Sequence, residues 1–282
     1  MPDRKDKGQP ETQTAETDEG CPVRMFNLQR CGRSLYLPSW GTPGGERVCL
    51  MHSTDPHKNK ADFQEEFERT LAVVGNGVAN LAGFVFPTSN YRKRRFAARC
   101  IFNRATFIGP ADFMGAIFTE PAIFSEAIFS QGAYFLAAEF MKDAVFAWAK
   151  FIRGADFSMV RFMQEAKFHE ATFAEDANFS GAKFAKDAYF SSAIFMNNVV
   201  FNLIRPMMPA DSGRIANKKD APQRLPFIAT IFGQRADFRN ATFRGRLEFR
   251  QTQFREDGAA EPGAIFSMAR FDKPELVVFC DT

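Results

Sequence analysis

Three cysteines and one histidine near the N-terminus have the residue types of a metal site. Cys21, Cys31, Cys49 and His52 supply three thiolates and one imidazole in the pattern Cys-x9-Cys-x17-Cys-x2-His. Sulfur and imidazole nitrogen in a set of four are typical ligands of tetrahedral Zn²⁺, and the short spacing of the last two residues lets both reach one ion. Because protein side chains fill all four positions, the predicted zinc is structural, and no catalysis at the metal is expected.

Two alternatives to this zinc site stay open. The Cys-x9-Cys half is longer than the usual spacing of a zinc knuckle, so one alternative is a small core with ordinary reduced cysteines. His57 is an alternative fourth ligand. The chain has five cysteines, an odd number that does not fit a closed disulfide framework. Cys100 and Cys280 lie far from the group in sequence.

Phenylalanine dominates the rest of the sequence. The chain contains 34 Phe against 4 Tyr and 2 Trp, a bias that indicates an internal repeat. From Phe96 to Phe201, twenty Phe alternate at intervals of six and five residues, and Ala stands two residues before sixteen of them. The predicted structural core consists of Phe113, Phe118, Phe124, Phe129, Phe135, Phe140, Phe146, Phe151, Phe157, Phe162, Phe168, Phe173, Phe179, Phe184, Phe190 and Phe195.

The period of eleven residues fits a stack of strands better than a coiled coil. In a helix, at ~100° per residue, steps of five place neighbouring Phe about 140° apart, so no single apolar stripe forms. Pro110 and Pro121 would also break a continuous helix. In an extended chain, residues two apart share a side, so Ala and Phe of each unit both point inward. Each unit is too short to bury its own pair, so successive coils must stack.

These units resemble the pentapeptide-repeat family, whose central Leu or Phe follows a small residue, usually Ala, by two positions. Residues 155–158, 177–180 and 182–184 match that pattern. The resemblance implies an all-β solenoid, a right-handed quadrilateral β-helix in which four units form one square coil. The regular sixth residue departs from the strict family pattern and implies 22 residues per coil, with two of the four corners enlarged. Such a match is specific for fold and not for function.

One capping α-helix is predicted between the cysteines and the repeats. Asp55 followed by Pro56 is typical of an N-cap and a first helical residue, and Phe63, Phe67 and Leu71 recur every four residues. We expect this amphipathic helix to cover the first coil; a free partner-binding helix is the alternative. The Cys-rich segment followed by this helix resembles the N-terminal region of some pentapeptide-repeat proteins.

The predicted organisation has three parts. Residues 1–20 are polar and charged and are expected to form a disordered tail. Residues 21–80 form the Cys/His zinc module and the capping helix, with 75–80 as a linker to the repeats. Residues 81–279 form the solenoid, whose eight or so coils at ~4.8 Å each would make a rod on the order of 40 Å long.

The repeat pattern has two interruptions. Residues 202–226 contain four prolines and predict a loop that protrudes from the rod before the pattern resumes at Phe227; a shorter interruption spans 255–263. Candidate partner-binding residues of the loop are Arg205, Arg214, Lys218, Lys219 and Arg224. After Phe279 no polar helix follows, so we expect this open coil to form a homodimer or the native chain to continue.

No sequence pattern of an enzyme is present. A phosphate-binding glycine loop, a nucleophile elbow and a metalloprotease helix are all missing, and His169 is expected to be a solvated corner residue. No apolar run of about 18 residues predicts a membrane span, and no secretory signal is seen, so a cytoplasmic location is expected.

The predicted function is a non-enzymatic scaffold for protein–protein interaction. The first alternative is nucleic-acid binding through the basic region 202–255, which has eleven Lys or Arg and four acidic residues. Its arginine girdle, which would ring one coil and not form a flat patch, comprises Arg239, Arg244, Arg250 and Arg255. The second alternative, implied by the resemblance, is modulation of DNA gyrase or another type II topoisomerase by DNA mimicry. Residues 96–201 have eleven acidic and nine basic residues, which is too balanced for a convincing mimic.

Overall fold

The described residues fold into a β-solenoid with four parallel sheets, one α-helix and a Cys/His segment at the N-terminal end. The computed structural model describes residues 20–36, 47–204, 229–254 and 264–280. Three sheets have eight strands each and the fourth has seven. These sheets are the four faces of the solenoid, named here in the order in which the chain visits them. The predicted solenoid of stacked Phe-centred coils is therefore confirmed.

The strands of each face are short and follow one another along the rod. The first face contains Val78–Asn80, Arg99–Ile101, Ala122–Ile123, Ala144–Val145, Ala166–Lys167, Ala188–Tyr189, Ala236–Asp237 and Ala264–Ile265. The second face contains Val85–Phe86, Thr106–Phe107, Ile128–Phe129, Lys150–Phe151, Thr172–Phe173, Ile194–Phe195, Thr242–Phe243 and Arg270–Phe271. The third face contains Ser89–Asn90, Ala111–Asp112, Ala133–Tyr134, Ala155–Asp156, Ala177–Asn178, Val199–Val200, Leu247–Arg250 and Val277–Cys280. The fourth face contains Arg95–Phe96, Ile117–Phe118, Glu139–Phe140, Arg161–Phe162, Lys183–Phe184, Ile231–Phe232 and Gln253–Phe254.

Each strand pairs with the strand one coil further along the chain. Ala133 lies opposite Ala155 and Glu139 lies opposite Arg161, a register of 22 residues per coil. This register aligns each inward Phe with the Phe of the next coil. The rings of Phe113 and Phe135 are 5.0 Å apart and nearly parallel. All sixteen predicted core phenylalanines are buried in this way.

Two kinds of corner explain the alternation of five and six residues. At the five-residue corners, the N–H two residues before one Phe bonds back to the carbonyl of the previous Phe, as Ala127 does to Phe124 at 3.1 Å. The residue before that N–H has a positive φ, 59° at Glu126, which closes the turn within two residues. The six-residue intervals lie at the other two corners of each coil and need no such residue.

The helix, Lys60–Val74, begins later than predicted. Asn59 is its N-cap, because the Asn59 side chain accepts hydrogen bonds from the backbone N–H groups of Ala61 and Asp62. Asp55 instead accepts a bond from the N–H of His57 at 2.8 Å and forms a local turn. The Asp-Pro pair is thus a turn that comes before the helix, and the predicted N-cap at Asp55 was wrong.

The helix covers the first coil of the solenoid. Phe63 and Phe67 are buried and point their rings edge-on at Phe86, at centroid distances of 5.3 and 5.7 Å. The first coil also starts earlier than predicted. Val78–Asn80, expected as part of a linker, is a strand that pairs with Arg99–Ile101.

The main interruption of the repeat lies at one corner. The chain leaves the third face after Phe201 and is next described on the fourth face at Ile231–Phe232, where Phe232 stacks on Phe184 at 4.8 Å. The predicted loop at 202–226 lies outside the described residues from 205 onward, as do residues 1–19 and the resumption of the pattern at Phe227. Among the described residues, no helix has the length and apolar character of a membrane span.

Candidate metal centre

A hairpin brings the first two cysteines together. Residues 20–34 fold back on themselves, with isolated antiparallel bridges between Gly20 and Ser34 and between Arg24 and Arg30. The N–H of Cys21 donates to Arg33 O at 2.9 Å across this hairpin. The Cys-x9-Cys spacing is longer than in a knuckle because the nine intervening residues form the two arms and the turn.

A tight turn brings the second pair together. The N–H groups of His52 and Ser53 both donate to the carbonyl of Cys49, at 3.0 and 2.9 Å. This turn places Nδ1 of His52 3.2 Å from Sγ of Cys49. The short Cys-x2-His spacing therefore brings both side chains together through a local backbone turn, as the sequence pattern predicted.

The four predicted ligands converge on one point. Their ligand atoms all lie within 4.8 Å of one another. Sγ of Cys31 lies 3.8 Å from Sγ of Cys49, and Sγ of Cys21 lies 3.5 Å from Nδ1 of His52. A tetrahedral zinc with Zn–S bonds of ~2.3 Å requires sulfur atoms about 3.8 Å apart. The donor set and its spacing therefore fit Zn²⁺. His57, the alternative ligand, is exposed and lies outside this group.

Neighbouring groups prepare the ligands for a cation. Nε2 of His52 lies 3.1 Å from the carbonyl of Ala82, so this nitrogen donates and Nδ1 is left to bind metal. The hydrogen bond from Cys49, with weaker help from His52 and Arg33, holds the pKa of the Cys31 thiol well below its usual value. The same bond with Cys31 raises the pKa of Cys49. Because cysteine binds metal as a thiolate, a metal ion that binds both sulfurs would release the remaining thiol protons.

Arg33 connects the ligand cluster to the helix. Its Nη1 donates to Sγ of Cys31 at 3.2 Å, while Nε and Nη2 reach Glu66 and Thr70 of the helix, each at 3.2 Å. Its guanidinium also lies 5.1 Å from the ring centroid of Phe84 in the first coil. One side chain therefore contacts the ligand cluster, the helix and the solenoid.

Lys58 is a second connection, which the sequence analysis missed. The side chain is buried, and Nζ donates to the carbonyls of Leu50, at 3.0 Å, Ser53, at 2.8 Å, and Val85. Three acceptors match the three N–H bonds of a protonated amine. Burial lowers the pKa of Lys58 to about 7, although the negative charges of Cys49 and Asp55 act in the opposite direction and raise it. Nothing in the local sequence distinguishes this lysine from its exposed neighbours.

Arg94 of the first coil is a third connection, and it binds the helix directly. It stands where most units have Ala, two residues before Phe96, and forms a two-pronged ion pair with Glu68 of the helix at 2.5 and 2.6 Å. Its guanidinium also lies 5.5 Å from the ring centroid of Phe67. The Ala-to-Arg exception in the repeat thus marks the coil that carries the helix.

The described part of the arginine girdle is largely neutralised. Arg239 and Arg244 follow the strands of the first and second faces and Arg250 ends the strand of the third face, so these three residues lie around one coil, as predicted; Arg255 lies outside the described residues. Arg239 pairs with Asp237 at 2.6 Å, and Arg250 pairs with Glu248. Arg244 lies 3.8 Å from a carboxylate of the next coil. Such pairs reduce the positive potential available to a phosphate backbone.

Comparison with known proteins identifies the repeat. A family model described as pentapeptide repeats (9 copies) matches residues 95–139. The strands of that segment belong to the same four sheets as the strands before and after it, and its 22-residue register continues beyond residue 139 to the pairing of Arg161 with Lys183. Searches of curated proteins and of solved structures found no match to the chain.

Proposed function

We propose that this chain, whose solenoid is built of pentapeptide repeats, is a non-enzymatic scaffold that binds another protein. The supporting observation is that the solenoid interior is filled. In the described coils up to Phe249, the inward Phe residues and the Ala residues two positions before them have almost no exposed surface. Stacked rings and continuous backbone ladders make such a rod rigid, and the outward side chains alone are free to differ from coil to coil.

The four faces present different chemistry to a partner. Over five coils, the outward positions of the fourth face are mostly charged: Arg95, Ile117, Glu139, Arg161 and Lys183. The corresponding positions of the second face carry one charge: Thr106, Ile128, Lys150, Thr172 and Ile194. A rigid surface with distinct polar and apolar sides is suited to the recognition of a macromolecule.

The Cys/His segment and the helix Lys60–Val74 together form a cap at the N-terminal end of the solenoid, and this cap has its own proposed role. A structural Zn²⁺ held by Cys21, Cys31, Cys49 and His52 would fix the hairpin to the turn before the helix, and the helix covers the first coil. The four side chains fill the coordination sphere, so the ion would stabilise the fold and leave no position for a substrate. The edge of the first coil would then be protected from pairing with other strands.

A nuclease-controlled pull-down tests the scaffold function. The intact protein is compared with a chain lacking 205–226, the part of the predicted loop that follows the described strand, and with a control chain lacking 1–19. A protein retained by the intact chain, in the presence of nuclease, supports the scaffold. Retention that disappears with nuclease favours the nucleic-acid alternative, and loss of the partner with the first deletion alone assigns the contact to the loop.

A further inference from the structure

Two sulfurs of the ligand cluster face each other across the two segments that the cluster joins. Sγ of Cys31, in the hairpin, lies 3.8 Å from Sγ of Cys49, in the turn before the helix. Sγ of Cys21 instead contacts Nδ1 of His52, at 3.5 Å. The sulfurs of a disulfide are about 2.05 Å apart, so Cys31 and Cys49 would have to approach by about 1.8 Å to form one.

Cys31 differs from the other two ligand cysteines in its exposure. Cys21 and Cys49 are 0% and 1% exposed, whereas Cys31 is partly exposed. An oxidant dissolved in the solvent therefore meets the sulfur of Cys31 first. Cys49 is buried behind it, in the position of a second thiol that reacts only with an oxidised Cys31.

Arg33 favours the reactive form of Cys31. Nη1 of Arg33 donates to Sγ of Cys31 at 3.2 Å, and the positive guanidinium stabilises the thiolate relative to the thiol. The thiolate is the form of cysteine that peroxides oxidise. An accessible thiolate with a second cysteine next to it is the arrangement found in cysteines that sense oxidants.

Oxidation of this pair by a peroxide balances without another reactant. The Cys31 thiolate attacks one peroxide oxygen, so an S–O bond forms, the O–O bond breaks and the other oxygen leaves as hydroxide. The Cys49 thiolate then attacks the sulfenic sulfur of Cys31, an S–S bond forms and the S–O bond breaks, which releases a second hydroxide. Each hydroxide takes a proton from the solvent to become water. Each sulfur loses one electron, and the peroxide gains two.

We propose that Cys31 and Cys49 are a peroxide-sensitive dithiol, and that the disulfide between them replaces zinc as the link between the hairpin and the turn. This inference rests on the metal centre proposed above. The disulfide would leave Cys21 and His52 of the four ligands, too few to hold a structural zinc, so the ion is released. Because Cys31 belongs to the hairpin and Cys49 to the turn, the new bond joins the same two segments, and the cap stays on the first coil.

Treatment of the zinc-loaded protein with hydrogen peroxide tests this proposal. Zinc content is measured before treatment, zinc release is followed with a colorimetric indicator, and the disulfide is located by peptide mapping without reduction. We expect one equivalent of zinc to be released for each Cys31–Cys49 disulfide, at peroxide doses that leave most of Cys280, an exposed thiol outside the cluster, reduced. Cys280→Ser is the matched control and should leave zinc release and the disulfide unchanged.

Hydrogen exchange of the first coil separates disulfide formation from simple loss of the metal. Residues 78–96 of the peroxide-treated, zinc-free protein should stay protected, and a reductant added with a chelator should then remove this protection. A chelator alone supplies no oxidant, so it should leave the thiols reduced and the first coil unprotected.

Three results would overturn the proposal: oxidation of Cys280 before the cluster, a disulfide that joins Cys21 to either of the other two ligands, or loss of protection at residues 78–96 with the Cys31–Cys49 disulfide in place. Protein that contains no zinc before treatment would overturn the metal centre, and with it the replacement of zinc. Zinc that is present but is released without this disulfide would overturn the dithiol alone. The scaffold function is measured separately, by the nuclease-controlled pull-down.

Discussion

The two ends of the solenoid expose their stacked rings to different degrees. At the N-terminal end, Phe84, Phe86 and Tyr91 of the first coil are at most 1% exposed, because the helix and the metal-binding segment lie over them. At the other end of the described solenoid, Phe279 is 50% exposed. A repeat buries its rings only where something lies on both sides of it. Homodimer formation through the C-terminal coil stays a prediction.

The comparison also shows where the N-terminal end obtains its stability. The coils are held by repetition, because each ladder and ring stack continues into the next coil. The cap is not a repeat, and it is attached by a few specific contacts: the ligand cluster, Lys58 and the Arg94–Glu68 pair. Each of these contacts can be removed by a separate substitution. Its loss should leave the rings of the first coil more exposed, as the rings at the C-terminal end are.

Loss of the metal should have the largest effect. Cys49→Ser removes the ligand that contacts both Cys31 and His52. We expect the wild type to contain one equivalent of zinc and the variant none, measured by elemental mass spectrometry on protein purified with zinc. Structural zinc can supply on the order of 10 kcal/mol in small domains, so the cap should unfold at a lower temperature than the coils.

Cys280→Ser is the control for this substitution. Cys280 is exposed and lies outside the ligand group, so zinc content and melting should stay as in the wild type. If Cys49→Ser retains zinc, or if the wild type contains none and melts like the variant, the proposed metal centre is wrong.

Truncation of one ring at each end compares the two ends directly. Phe86→Ala removes a buried ring that touches the helix and the second coil, and it should cost about 3–5 kcal/mol. Phe279→Ala removes a half-exposed ring and should cost about 1 kcal/mol or less. Urea denaturation followed by circular dichroism measures both. Equal costs would mean that the cap does not bury the first coil as described.

Removal of Lys58 should loosen the cap with the metal ligands intact. Lys58→Met leaves the carbonyls of Leu50, Ser53 and Val85 without this donor, at a cost of about 2–3 kcal/mol. Lys60→Met, at the exposed first residue of the helix, should change the free energy of unfolding by less than about 0.5 kcal/mol. Denaturant titration of both variants checks this difference, and similar values would contradict the role of Lys58.

The ion pair between the helix and the first coil should have the smallest effect. The hydrogen bond from Arg94 lowers the pKa of Glu68, so the folded state holds that proton less tightly than the unfolded chain. Its stabilisation is present above the unfolded pKa of ~4.3 and is lost as the pH falls through the lower, folded value. Because Glu68 is 45% exposed, Glu68→Gln should cost about 0.3–1 kcal/mol at pH 7.

The matched control is Glu65→Gln, whose carboxylate pairs with Arg69 on the exposed side of the helix. Melting temperatures of both variants at pH 7 and pH 3 provide the measurement. The difference between wild type and Glu68→Gln should shrink at pH 3, and a constant difference would show that the ion pair is not its source.

Periodicity explains why the solenoid was predictable. Alternating intervals of five and six residues determine which side chains face inward, and this information is repeated in every coil. The ligand set was predictable for a similar reason, because Cys49 and His52 meet through a local turn. The Cys21–Cys31 pair depends on a hairpin, which the sequence analysis did not predict.

The contacts that attach the cap were not predictable, because they join residues that are distant in sequence. Lys58 reaches Val85, and Arg33 reaches Thr70. The helix start was misjudged because an Asp-Pro turn and an N-cap share the same residue types. The sequence analysis also assigned no role to Asp156, which accepts a hydrogen bond from the N–H of Ser158 at 2.9 Å next to a corner.

Amide hydrogen exchange of the first coil, with and without a zinc chelator, tests whether a metal-stabilised cap protects this end of the solenoid. We expect residues 78–96 of the zinc-loaded protein to exchange as slowly as the middle coils, and we expect the chelator to accelerate their exchange while residues 133–162 stay protected. Slow exchange of residues 78–96 in the presence of the chelator, with removal of any zinc verified, would contradict a metal-stabilised cap on the solenoid.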